Sequence, residues 1–92
     1  MTITRINEFT AADGKEAELF EFLQELTVYI SNSAGNVSCE VLKNQQNASY
    51  IVVIEKWLDE AAHKQSLANY PAEKMQAAMS LIGLPPKGEY FL

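Results

Sequence analysis

Hydrophobic and polar positions change period several times along this chain. Over residues 2–10, "TITRINEFT", Ile3, Arg5, Asn7 and Phe9 fall on one side and Thr4, Ile6 and Glu8 on the other, the period-two pattern of a strand. Helical spacing then takes over in 11–33. Leu19, Leu23, Leu26 and Ile30 form an apolar stripe with Phe22 beside it, and Glu18, Glu21 and Glu25 form the solvated side. Asp13 and Glu16 have the spacing of a capping box at the start of this helix, and Gly35 in "SAGN" punctuates its end.

Period two returns in "VSCEVLK" (37–43) and "SYIVVIEKW" (49–57), joined by "NQQNA", a polar connection of hairpin length. Asp59 is placed to cap a helix over Glu60–Ala68, which must stop before Pro71. In "AEKMQAAMSLI", Ala72, Met75, Met79 and Ile82 share one helical face. "GLPPKG" reads as a loop and "EYFL" as a short closing strand. The order βαββαβ predicts one α+β domain over residues 1–92. Its expected form is ferredoxin-like, a four-stranded antiparallel sheet with helices on one face.

The third strand adds a further expectation. Tyr50, Val52 and Ile54 lie on one side and Ile51 and Val53 on the other, so the strand is apolar on both faces. A sheet covered on one side should alternate apolar and polar. No further helix is available, so a second copy of the sheet is expected to cover the open face, giving a homodimer through sheet faces.

Composition narrows the partners. A chain of 92 residues is one domain, and at this size it buries only about 60–65% of the surface its unfolded form exposes. The net charge of −5 provides no basic stripe for phosphates, so neither nucleic acid nor an anionic membrane is an expected partner. The longest apolar run, Tyr50–Ile54, is too short to span a bilayer, and no signal-peptide pattern opens the chain, so the expected compartment is the cytoplasm. Cys39 is the single cysteine, which excludes an internal disulfide and a cysteine zinc cluster. No phosphate-binding glycine loop, two-His metal spacing or Ser-His-Asp set is present. No metal and no cofactor are expected.

Three stretches carry a resemblance: "NEFTAADGKEAELFEFL" after the first strand, Gly35 before the second, and "IEKWLDEAA" entering the second helix. With Glu55, Trp57, Asp59, Ala61 and Ala62 in the last, the chain resembles the antibiotic biosynthesis monooxygenase family of dimeric α+β barrels. That resemblance implies a pocket between helices and sheet. It also implies a cofactor-independent monooxygenase acting on a quinol-like or polycyclic phenolic compound, a small aromatic substrate. A dimeric binding module without turnover is the alternative. In the haem-degrading branch an Asn on the first strand, a Trp ending the third and a His on the next helix mark the pocket. Asn7 and Trp57 match the first two, but the His position falls at Ser66 or Leu67. His63 lies three residues earlier, about 60° around and ~4.5 Å along a helix, which argues against haem ligation.

The candidate catalytic residues are therefore Asn7, Trp57 and His63. Asn7 has poor strand propensity and is either an amide donor to a substrate oxygen or a solvated strand polar group. Trp57 is a core seal or a pocket wall with an indole N–H to offer. His63 titrates in the right range for a general base, although a rim position is the plainer reading. Candidate binding residues are Arg5, facing an anion or reaching for the edge, Ser66 in place of the family His, Tyr70 and Met75. Tyr29 is expected to close the first helix's core. Glu55 shares a face with Trp57, and the family likeness implies a role for it in the dimer contact.

Overall fold

The computed structural model describes residues 2–92. Seven elements follow in order: β1 (Ile3–Ala11), α1 (Glu16–Ser31), β2 (Asn36–Lys43), β3 (Tyr50–Trp57), α2 (Glu60–Asn69), α3 (Ala72–Met79) and β4 (Ile82–Phe91). The strands form one antiparallel sheet in the order β2-β3-β1-β4, so the fold is ferredoxin-like α+β.

The helices cover one face of the sheet. Leu19 and Leu23 of α1 are fully buried against Ile51 and Val53 of β3, with Ala11 closing the cluster. Each of these leucines contributes about 1.5–3 kcal/mol by leaving water. Alternation along β3 is strict: Ile51, Val53, Glu55 and Trp57 are buried, and Tyr50, Val52 and Ile54 are half-buried on the other side. Pairing extends that second face. Ile6 sits opposite Ile54, Leu42 opposite Val52, and Phe91 opposite Thr4, and Leu42 and Phe91 are 47% and 45% exposed.

Several local expectations need correction. The Asp13–Glu16 capping box does not form: Lys15 is the N-cap of α1, without a side-chain bond, and Glu16 instead accepts from the Ser49 hydroxyl at 3.3 Å. Asp59 does cap α2, accepting from the Ala62 amide at 2.8 Å. In α3 the buried residue is Ala78, whereas Met79 is 65% exposed. The helix ends at Met79, and Ile82 belongs to β4. The largest difference lies in "GLPPKG", which is strand. Pro85 and Pro86 are tolerated because β4 is an edge strand and both fall in a bulge opposite Phe9, between the Glu8–Lys87 and Thr10–Leu84 pairs.

Gly35 holds the α1–β2 turn against α2. Its φ is +84°, and a Cβ there would lie 2.6 Å from the Ala62 Cβ. Gly14 has a similar φ of +77° but open space around it. Gly14→Ala should therefore cost only the left-handed backbone strain, about 1–2 kcal/mol. Gly35→Ala should add about 1–3 kcal/mol of overpacking. Urea midpoints at unchanged slope would check the difference; equal costs would contradict it.

Candidate functional site

The alternation that buries Ile51 and Val53 also carries Glu55 inward, between Val53 and Trp57 on the helix-covered face, where it is 3% exposed. A carboxylate in that position needs donors, because burying it unpaired would cost several kcal/mol. Two neighbours supply them. The Asn7 amide donates to Glu55 Oε2 at 2.7 Å and the Trp57 indole N–H donates to Oε1 at 2.9 Å. Asn7 is fixed in turn: its Oδ1 accepts from Arg5 Nε at 3.0 Å. Each carboxylate oxygen keeps capacity for another bond.

α2 brings the next group. His63 is 4% exposed, not at the rim, and its Nδ1 shares a 2.6 Å hydrogen bond with the Tyr90 hydroxyl. His63 Nε2 lies 3.9 Å from Glu55 Oε1. Tyr90 comes from β4 and packs edge-on to the imidazole, with ring centroids 5.4 Å apart. The Arg5 guanidinium lies over the other ring, 4.7 Å from the Tyr90 centroid. Gly88 makes this crossing possible, since a Cβ there would fall 2.5 Å from Asn7 Oδ1 and would also strike the guanidinium.

Electrostatics follow from burial. Desolvation, the largest influence, pushes the Glu55 carboxyl above its ordinary range. The Trp57 bond, the Arg5 charge and the Asn7 bond pull the other way without cancelling it. Desolvation and then Arg5 hold His63 below its usual value, with Glu60 pulling it up and Lys64 pushing it down. At neutral pH the imidazole is thus neutral, and the 3.9 Å approach is a carboxylate facing a ring rather than an ion pair. Because a carboxylate only accepts, it favours the tautomer with the proton on Nε2, which leaves Nδ1 to accept from Tyr90. Burial, then the Glu55 charge, raise the Cys39 thiol to about 11, so it stays protonated and is no nucleophile.

These groups face a cavity of about 110 Å³ between sheet and helices. Arg5, Asn7 and Glu55 form its polar floor, and His63 faces them from α2. Phe9, Leu26 and Ile30 are apolar walls, and Ser66, Tyr70, Leu67 and Met75 close it toward α2 and α3. Trp57 is fully buried behind the cavity, its N–H committed to Glu55. Ser66 is buried but its hydroxyl bonds Ser33 at 3.1 Å, and its carbonyl accepts from the Tyr29 hydroxyl at 2.7 Å. Tyr29 thus ties α1 to α2 and lies outside the core cluster, against the cavity. Met75 is 37% exposed and belongs to the mouth. Among the described residues no cluster of three His, Cys, Asp or Glu side chains is placed to hold a metal.

Two members of the site went unread in the sequence. Glu55 is on the helix side, away from the open sheet face, so it is not available to a face-to-face dimer contact. Its signal was a charge at an inward position between Val53 and Trp57. Tyr90 was hidden by the reading of 83–88 as a loop, since only a continuous strand puts Gly88 and Tyr90 on the inward side.

The fold and this arrangement define a ferredoxin-like α+β protein with a small, polar-floored cavity under its helices. A sequence model of the antibiotic biosynthesis monooxygenase family matches residues 2–79, and the chain belongs to that family. β4, with Tyr90, lies beyond the matched residues. No curated protein matches the sequence. Solved structures share the fold at low identity. SnoaB, a cofactor-independent oxygenase from Streptomyces nogalater, is 22% identical over 99% of this chain and 91% of its own, with a TM-score of 0.83. PA3566 from Pseudomonas aeruginosa is 21% identical over 98% and 91%, with a TM-score of 0.88. SO0527 from Shewanella oneidensis is 21% identical over 98% and 88%, with a TM-score of 0.87.

The lowered His63 value has a measurable consequence. As pH falls below about 6.5, the unfolded chain takes up a proton that the folded one refuses, so stability should drop until the folded His63 also titrates. His63→Phe should remove this segment of the stability–pH curve, read by denaturant titration between pH 5 and 8. An unchanged curve would contradict a buried neutral imidazole.

Proposed function

We propose that this protein is a cofactor-independent monooxygenase acting on a hydroquinone-like phenol, with Glu55 as the proton acceptor. The observation that carries this reading is a buried carboxylate, raised in pKa and held by Asn7 and Trp57, on the floor of a small cavity between sheet and helices. A carboxyl raised above its ordinary range by burial is a stronger base toward a phenolic proton than a solvated one. Family membership supports the oxygenase class, and SnoaB, of the same fold, is a cofactor-independent oxygenase.

In the proposed reaction, Glu55 takes the phenolic proton, and the electron-rich phenolate ring reduces dioxygen. One oxygen atom enters the ring as a hydroxyl or carbonyl and the other leaves as water. A hydroquinone plus O₂ gives a hydroxyquinone plus H₂O, with all four electrons drawn from the substrate. Arg5 and the neutral His63 Nε2–H face the developing negative charge, and the apolar walls exclude water from it. Asn7 and Trp57 act by positioning Glu55: the indole N–H and one of the two Asn7 amide hydrogens are committed to it. Oxygen uptake with methylhydroquinone should fall about 10²–10⁴-fold in Glu55→Gln. Asn7→Ala and Trp57→Phe should lose less, each removing one of two supports. Wild-type uptake at the buffer rate would sink the reading.

We further propose that the open sheet face pairs with a second copy. Ile6, Leu42, Val52, Ile54 and Phe91 make it apolar, and an exposed apolar patch of this kind is a common mark of an interface. Sedimentation should give twice the mass of 10.3 kDa, and Ile54→Lys should give the monomer. A monomeric wild type would rule the pairing out.

A further inference from the structure

The cavity above Glu55 is too small for the polycyclic phenol that the family resemblance suggests. An apolar cavity of about 150 Å³ holds one benzene ring, and this one measures about 110 Å³. A single hydroxylated ring can enter with slight yielding of the mouth, and a fused ring system cannot. Beside it lies a second, larger space. A groove of about 560 Å³ runs between α1 and α3, walled by Phe22, Pro71, Ala77, Ala78 and Leu81, with Glu25 and Lys74 at its sides. Tyr29 and Tyr70 line both the cavity and the groove.

Those two tyrosines are therefore the partition. Their rings meet edge to face with centroids 4.9 Å apart. Tyr29 is pinned through its hydroxyl to the Ser66 carbonyl. Tyr70 is held differently: it is the half-buried C-cap of α2, directly before Pro71 and the start of α3. Of the pair, Tyr70 is the ring that a ligand can displace without breaking a link between helices. Continuity through Tyr70 joins a polar end, sized for one ring, to an apolar channel.

We propose that the substrate is a single-ring hydroquinone bearing an extended apolar substituent, the ring seated over Glu55 and the substituent lying past Tyr70 in the α1–α3 groove. This inference rests on the ring-binding reading of the cavity. It assigns the groove to the same molecule because the two spaces share their walls, and because the cavity alone cannot accommodate more than the ring. Ala77 is exposed on the groove wall, so a large side chain there would fill the groove without disturbing the core.

The test is anaerobic binding, followed by Trp57 fluorescence and calorimetry, of hydroquinone and its methyl, butyl and hexyl derivatives. Each buried methylene tightens binding about three- to fourfold, so the butyl compound should bind at least tenfold more tightly than the methyl one. In Ala77→Trp, which carries a second tryptophan and is therefore read by calorimetry, that gain should shrink below about threefold, with plain hydroquinone binding unchanged. A flat series in the wild type, or a gain that survives Ala77→Trp, would overturn the proposal. Failure of every compound to bind would remove the ring-binding reading together with it. Chain-dependent binding without oxygen uptake in air would remove only the oxygenase reading.

Discussion

The structure turns on one buried carboxylate. Glu55 sits between Val53 and Trp57 on the inward side of the most apolar strand, where it is almost wholly withdrawn from solvent. That placement obliges the neighbouring elements to supply hydrogen-bond donors, and the identities of several residues follow. Asn7 must be an amide rather than a good strand former, and the indole of Trp57 must present its N–H inward. Arg5 must fold back along its own strand to orient Asn7. With every donor in place the carboxylate is tolerable, yet burial still dominates its affinity for protons.

His63 and Tyr90 belong to the same set of obligations. A helix that buries an imidazole and a serine, and leaves a leucine outside, has no ordinary amphipathic pattern. The inward side of α2 is defined by polar partners: Tyr90 for His63, Ser33 for Ser66. The cavity is thus assembled from distant parts of the chain, β1 and β3 in its floor and α1, α2 and α3 around it, with Tyr90 of β4 bonded to His63 outside its lining. Tyr90 lies outside the family-matched region, and its hydroxyl holds His63 Nδ1 from the edge strand.

The first three strands, the first helix and the element order were legible because their apolar residues recur at regular intervals: Leu19, Leu23 and Ile30 on α1, Ile51 and Val53 on β3. Asp59 was legible as a cap because its chemistry is local. The capping box at Asp13 was not, since the chain turns at Gly14 and starts the helix from Lys15 instead. His63 could not be placed from α2 alone, because its burial is set by a tyrosine 27 residues away. The prolines hid β4: a local rule that assigns Pro-Pro to loops fails where an edge strand bulges.

Those prolines have a consequence beyond their own strand. An edge strand presents unpaired N–H and C=O groups on which another chain can build. Pro85 and Pro86 remove two amide donors from β4, and the bulge opposite Phe9 bends the strand out of a flat template. A sheet so bordered resists growth into an open ladder of stacked molecules, the route that leads to fibres. For a chain whose sheet also carries an apolar surface, this is a safeguard on how it meets copies of itself: contact across the broad side remains open, and endless extension along the rim does not.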